Sequence, residues 1–299
     1  MRVAGIGGGH GLAVTLAAAQ LYADGVSAVV TVADDGGSSG RLTRELGIPP
    51  PGDIRNCLAA LAPGSELAEV FGHRFTDGAL AGHTVGNLVI AALTERYGDF
   101  GEAVARSARL VGARGAVWPC TTELVSLRAR VSGGVVEGQV AVAQADERIE
   151  AVYLEPADPG AHPGAVDAIL AADQVVLGPG SLYTSLLATL LVPGVTKALM
   201  ETRARRVFVC NTRQQQRETS GLDAAAHVQA LLAHAGPEAL DSVVVQRPEL
   251  APDGVRVDAA GLTAFGVEVV EADVAAPDGA HDPGRLAEVL ARLGGPGRN

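Results

Sequence analysis

The sequence is poor in aromatic residues, which make up 3% of its 299 positions, with a single tryptophan. A core with so few rings must be built from Ala, Val and Leu, and the 47% hydrophobic content is enough for one of good size. Lysine is scarcer still: of the 23 basic residues only Lys197 is a lysine. The formal net charge is -11, and no basic run exceeds Arg203-Ala204-Arg205-Arg206. That excludes a dedicated nucleic-acid binder, which needs a basic face. The basic cluster itself is expected to cap a helix end, where cations suit the helix dipole.

Cysteine is limited to Cys57, Cys120 and Cys210, far apart and without a C-x-x-C pair. This argues against a disulfide framework and for buried, reduced thiols in a cytoplasmic protein. Long apolar runs are also missing. Thr184–Val192 stops at Pro193-Gly194, short of a membrane span. Arg2 followed by Leu12–Ala19 mimics a signal peptide, but Gly7-Gly8-Gly9-His10-Gly11 interrupts its apolar part, so none is expected. Two nucleotide motifs fail on spacing. For G-x-G-x-x-G the third place is His10 counting from Gly5 and Leu12 counting from Gly7, and no G-K-[ST] occurs.

What is present centres on Thr31–Asn56. A buried strand, Ala28–Val32, runs into two adjacent carboxylates, Asp34 and Asp35. Gly36, Gly37 and Gly40 follow, with Ser38 and Ser39 between them. Read as a loop, this stretch offers backbone N–H groups and hydroxyls with little bulk. That suits a phosphate, with a carboxylate beside it for a metal ion or a ribose hydroxyl. Pro49-Pro50-Pro51-Gly52 then makes a stiff turn, and Asp53 reads as the N-cap of a helix through Arg55, Asn56 and Cys57–Leu61.

Two further junctions have the same grammar. Strand Arg2–Ile6, Gly7-Gly8-Gly9-His10-Gly11 and helix Gly11–Tyr22 form the first, with Leu12, Leu16 and Leu21 expected inward. Strand Gln174–Leu177, Gly178-Pro179-Gly180 and the helix start Ser181, Thr184, Ser185 form the second. Asn211 closes the buried strand Arg206–Cys210, and His83 and Asn87 precede a buried helix at Leu88–Thr94. Val125–Val131 and Val135–Val140, split by Gly133-Gly134, alternate as paired antiparallel strands. Ser242–Gln246 is a last buried strand, and Gly254–Val270 reads as a hairpin.

Strands alternating with helices imply an α/β fold: a doubly wound, mostly parallel sheet with helices on both faces, as one domain over 1–299, carrying a small antiparallel β-meander at about 117–154. In such sheets the loops at strand carboxyl ends gather into one crevice. Gly7–Gly11, Asp34–Gly40, Gly178–Ser185 and Asn211 are expected to meet there.

The strings Val30–Leu42 (V-T-V-A-D-D-G-G-S-S-G-R-L) and Ile48–Asn56 (I-P-P-P-G-D-I-R-N), with Gly7-Gly8-Gly9, Gly82–Leu88 and Gly178–Ser185, resemble the YvcK or gluconeogenesis factor family. That family is related to the 2-phospho-L-lactate transferases, and the likeness runs in order over nearly the whole chain, thinning after about Gln246. It implies a cytoplasmic, Rossmann-like protein that binds a UDP-sugar such as UDP-N-acetylglucosamine. It also implies support of cell-wall synthesis and cell shape during gluconeogenic growth, through cell-wall regulatory partners and as a homo-oligomer. It adds His83, Asn87, Arg55 and Asn56 to the ligand-binding candidates, and makes Asp34, Asp35 and Asp53 the residues that would hold Mg²⁺. The sequence departs from the family in two places: His10 stands where Thr is usual, and Ala280 replaces an arginine ahead of His281-Asp282. Three functions stay open: a regulator without turnover, an Mg²⁺-dependent transferase of a phosphorylated group, and a dinucleotide-binding protein.

Overall fold

The computed structural model describes residues 1–295 and places seven parallel strands at its centre. These are β1 (Arg2–Gly7), β2 (Gly25–Val30), β3 (Ala116–Pro119), β7 (Gln174–Leu177), β8 (Arg205–Val209), β9 (Ser242–Gln246) and β10 (Glu268–Ala272). A second, three-stranded sheet is built from β4 (Ser126–Val131), β5 (Gly134–Glu137) and β6 (Ile149–Glu155). The large sheet has the order β10-β9-β8-β7-β1-β2-β3, with helices around it. The inner strands β7 and β9 are buried at every position, so they read as continuous Val runs rather than as alternations.

This order fixes where a ligand can sit. The chain starts at β1, winds outward through β2 to β3, returns to β7 on the other side of β1, and winds outward again to β10. Between β1 and β7 the connections diverge, which opens a crevice at the carboxyl ends of the strands. Register keeps those ends level. Gly7 pairs with Val30 and Ile6 with Leu177, and the ladder continues as Thr31 N–H donates to Gly7 C=O (2.9 Å) and Gly178 N–H to Ile6 C=O (3.0 Å).

The core is aliphatic, as the scarcity of rings requires. Leu12 and Leu16 of helix α1 (Gly9–Ala19) are fully buried in one cluster with Ile6, Val29 and Leu177. Buried residues of the small sheet, Leu127, Ala129 and Leu154, belong to the same cluster. The one tryptophan, Trp118 on β3, stacks on the His162 ring with centroids 5.3 Å apart, and Gly164 lies against its indole.

Several elements differ from the sequence reading. Leu21 is 66% exposed, because α1 ends at Ala19 and leaves Leu21 in a turn. The Gly/Ser stretch is not an open loop: it is the first turn of helix α2 (Gly37–Leu46). Asp53 lies inside the first turn of helix α3 (Gly52–Ala60) rather than capping it, and Pro51 holds the cap position. Val117 belongs to the large sheet. The small sheet is not a meander, since β4 is its central strand, and Gln139 and Val140, expected to end a strand, open a short helix, Gln139–Ala143. No hairpin forms at Gly254–Val270: a short helix, Ala259–Thr263, leads into β10, which runs parallel to β9.

Arg205 and Arg206 lie in β8 instead of at a helix end. Arg206 makes a bidentate, buried pair with Asp241 (Nε–Oδ2 3.0 Å, Nη2–Oδ1 2.9 Å), and Arg205 reaches Ser242 and Glu268. A buried ion pair is placed by tertiary structure, so local charge pattern does not reveal it.

Candidate functional site

A crevice of about 330 Å³ lies at the switch between β1 and β7. Its walls are Gly8–Gly11, Thr31, Asp34 and Asp53 on one side, and Gly180, Ser181, Thr184, Ser185, Gln139 and Gln215 on the other. Thr31, Gln139 and Gln215 were not foreseen. Thr31 was readable as the end of its strand, whereas the two glutamines reach the crevice from elements with no local motif.

The wall from β1 is bare backbone. The first α1 hydrogen bond runs from Leu12 N–H to Gly8 C=O (3.3 Å), so the amides of Gly9, His10 and Gly11 lie outside the helical ladder at the positive end of the dipole. Two glycines here are required by close approach. A Cβ on Gly8 would sit 2.4 Å from Asp53 Oδ2, and one on Gly11 would sit 2.3 Å from the Pro179 carbonyl oxygen. Gly11 thus seals the first junction against the second.

Two carboxylates face this wall. Asp34 Oδ1 accepts from Gly36 N–H (2.9 Å), and burial holds its pKa above the usual carboxylate range. Asp53 is pushed up to about 7, by burial first and then by the charge of Asp34, with the Gly9 amide opposing. Neither makes an ion pair shorter than 4 Å among the described residues, and both belong to one crevice wall. Asp35 turns away. It is exposed, and its Oδ1 accepts from Val140 N–H (2.9 Å), which ties the strand end to helix Gln139–Ala143. The expected trio of carboxylates therefore does not converge, and among the described residues no three His, Cys, Asp or Glu side chains are grouped as metal ligands.

The second junction is closed from within. Glu218 is buried, and its Oε1 accepts from Tyr183 N–H (2.8 Å) and Thr184 N–H (3.0 Å), with the Thr184 hydroxyl at 3.2 Å from Oε2. Burial raises its pKa, and these donors oppose the rise. Two of the amides expected to be free at Ser181–Ser185, those of Tyr183 and Thr184, are thus occupied by a side chain more than thirty residues downstream. Ser181 Oγ accepts from Gln215 Nε2 (2.9 Å). Asn211 does not line the crevice. It clamps the Gly178–Gly180 turn, with Nδ2 donating to Gly180 C=O (2.9 Å) and Oδ1 accepting from Gly180 N–H (3.1 Å). Gly7 supports the site from below, its carbonyl accepting from Thr31 N–H and, at 3.3 Å, from the Thr189 hydroxyl.

The remaining candidates form a separate group. Ser38 Oγ lies 2.9 Å from His83 Nδ1 and accepts from Asn87 Nδ2 at 3.0 Å, and all three are buried. Burial and the charges of Arg41 and Arg74 lower the His83 pKa. Ser39 Oγ accepts from Gly52 N–H (3.1 Å) and so joins α2 to α3. Arg55 donates to Asn56 Oδ1 (2.7 Å). Ser38, His83, Asn87, Arg55, Asn56, Gly36, Gly37 and Gly178 are not on the crevice wall, so the serine–histidine contact is not aimed into it.

A family model described as 2-phospho-L-lactate transferase CofD matches residues 3–275. The chain belongs to the CofD family. It is 39% identical to the gluconeogenesis factor of Bacillus subtilis over 310 residues, covering 98% of each chain. It is 43% identical to the gluconeogenesis factor of Halalkalibacterium halodurans over 242 residues (80% of this chain, 75% of the relative). With a putative gluconeogenesis factor of Mycobacterium tuberculosis it shares 43% over 303 residues, covering 96% and 89%. A crystal structure of a UPF0052 family protein from Bacillus halodurans superposes with TM-score 0.93 at 37% identity, over 97% of this chain and 98% of that one. This CofD-family chain is thus a relative of the gluconeogenesis factors with an α/β fold. Among its described residues no single helix is long and apolar enough to cross a membrane.

Proposed function

We propose that this CofD-family protein binds a UDP-sugar of the UDP-N-acetylglucosamine type and acts in the cytoplasm as a regulator of cell-wall synthesis and cell shape under gluconeogenic growth. The observation that carries the binding reading is the open β1–α1 junction. The His10 and Gly11 amides at a helix start, beside the Gly9 amide that Asp53 accepts from, suit a diphosphate. Asp34 and Asp53 fit the metal the family implies. They are two unpaired carboxylates on one wall, each with its pKa raised, and a cation between them would relieve both burial and mutual repulsion. Mg²⁺ is commonly held by one or two carboxylates with water and phosphate oxygens completing its shell. When bound there, the ion would offset the diphosphate's charge. Asp34 and Asp53 would orient it, and the His10 and Gly11 amides would hold the phosphate oxygens. Cell-wall regulatory proteins are the expected partners, and the name gluconeogenesis factor carried by the relatives supports the regulatory role.

A second reading has its own support. The family model's transferase name and the raised Asp53–Asp34 pair favour transfer of a phosphorylated group. Such transfer depends on positioning and charge neutralisation more than on a protein nucleophile. Calorimetric titration with UDP-N-acetylglucosamine, with and without Mg²⁺, followed by mass analysis of the recovered ligand, separates the two. Saturable binding with unchanged ligand supports the regulator, and a modified ligand makes the protein a transferase. No heat at millimolar ligand would overturn the nucleotide-sugar reading.

A further inference from the structure

The chain carries a large excess of acid, yet one region gathers arginines without acidic partners. Arg41 Nη2 donates to the Ala81 carbonyl (2.7 Å) and Arg74 Nη1 to the next carbonyl, Gly82 (2.6 Å). Residue 83 is the buried histidine, and Thr84 bridges to Arg74 through the backbone. The stem of Arg55 lies against Gly86, where an added Cβ would stand 2.8 Å from Arg55 Cγ. Two guanidiniums, an imidazole and the aliphatic stem of Arg55 therefore lie along one short segment, Ala81–Gly86. None of the ion pairs among the described residues involves Arg41, Arg55 or Arg74. The Arg55 Nε–H is buried and has no acceptor.

The electrostatics agree with this placement. After burial, the charge of Arg74 lowers the Arg55 pKa, and those of Arg41 and Arg74 lower that of His83. Asp53 at Arg55 and Glu45 at His83 are the carboxylates that oppose these shifts, and neither cancels them. Like charges held together at such a cost fit a site completed by an anion.

We infer that Arg41, Arg55, Arg74 and His83 form a second oxyanion site, distinct from the β1–β7 crevice, that takes the phosphoryl group of a small phosphomonoester. A phosphoryl group carries close to two negative charges and enough acceptor oxygens for several guanidinium forks, which match its geometry better than an ammonium would. Arg41 and Arg55 are half-buried, His83 is buried and Arg74 is exposed, so a small anion can reach the cluster from the Arg74 side. It does not rest on the nucleotide-sugar reading, because none of its four residues lines that crevice.

Inorganic phosphate is the probe, titrated into the full chain by calorimetry at constant ionic strength. The wild type is expected to bind one phosphate saturably within about 10 mM. Arg74→Gln should weaken it about tenfold, the low end for a hydrogen bond to a charged group, and Arg41→Gln/Arg74→Gln should weaken it further. Arg74 is exposed, so its variant tests the site even if Arg55→Gln fails to fold. Lys197→Gln, an exposed cation in neither site, should leave phosphate affinity unchanged. Equal affinity in wild type and the Arg41/Arg74 double variant overturns the proposal. So does an equal loss in Lys197→Gln, or the absence of saturable binding in the wild type.

Discussion

The two strand–glycine–helix junctions flanking the crevice look alike in sequence and differ in chemistry. At β1–α1 only the Gly9 amide is bonded to a side chain, the Asp53 carboxylate, and the amides of His10 and Gly11 are left to the crevice. At the end of β7 the equivalent amides of Tyr183 and Thr184 are given to Glu218. Three hydroxyl residues behind Gly-Pro-Gly announced the second junction more loudly than glycines alone announced the first, yet the second is the one already satisfied. A helix start is an anion site only if the protein has not supplied the anion itself.

The largest effect on this contrast is expected from Glu218→Ala. It strips two buried amides and a hydroxyl of their acceptor, and should cost about 2–4 kcal/mol of stability in urea unfolding. It should also give the second junction a sulfate-binding capacity that the wild type lacks there. A stability within error of wild type would show that water replaces the carboxylate without loss.

Gly11→Ala breaks the seal between the junctions, since its methyl would overlap the Pro179 carbonyl. The expected cost is about 1–3 kcal/mol, with a loss of UDP-sugar affinity larger than that of any hydroxyl deletion. Unchanged affinity in a folded variant would separate the crevice from the ligand.

Asp53→Asn sharpens the contrast through pH. A carboxyl raised to about 7 in the folded state favours the protonated form. Its stabilising contribution is complete below the unfolded value near 4 and is lost as pH rises through 7. The variant should therefore match wild type in acid and exceed it at pH 8 by about 1–3 kcal/mol, while losing any Mg²⁺ dependence of ligand binding. A stability difference independent of pH would rule out the raised carboxyl. Ser181→Ala is the mildest case, with about 0.5–1.5 kcal/mol of ligand affinity at stake, read by titration.

Much of the scaffold was legible because buried parallel strands are written as short Val runs between turn signals. Gln174–Leu177 and Ser242–Gln246 were located to the residue. β10 was not, because an edge strand exposed in part alternates as Glu-Val-Val-Glu-Ala and imitates half of a hairpin. Helix Gln139–Ala143 was hidden by a Val pattern that continued past β5. In the site, Asp34 was legible from its place at a strand end. The different fates of Asp34 and Asp35 were not, since Val140 decides them from more than a hundred residues away. Glu218 carries no local signal either, because its partners lie across the fold.

The stacked Trp118–His162 pair gives the molecule a built-in optical probe. The only indole in the chain sits on β3, at the edge of the large sheet opposite β10. Its emission on unfolding follows that edge, whereas circular dichroism averages over every helix and strand. Coincident melting curves would mean that both wings of the sheet come apart in one cooperative step. Curves that separate would mean that the β8–β10 wing and the β1–β3 wing have distinct melting points.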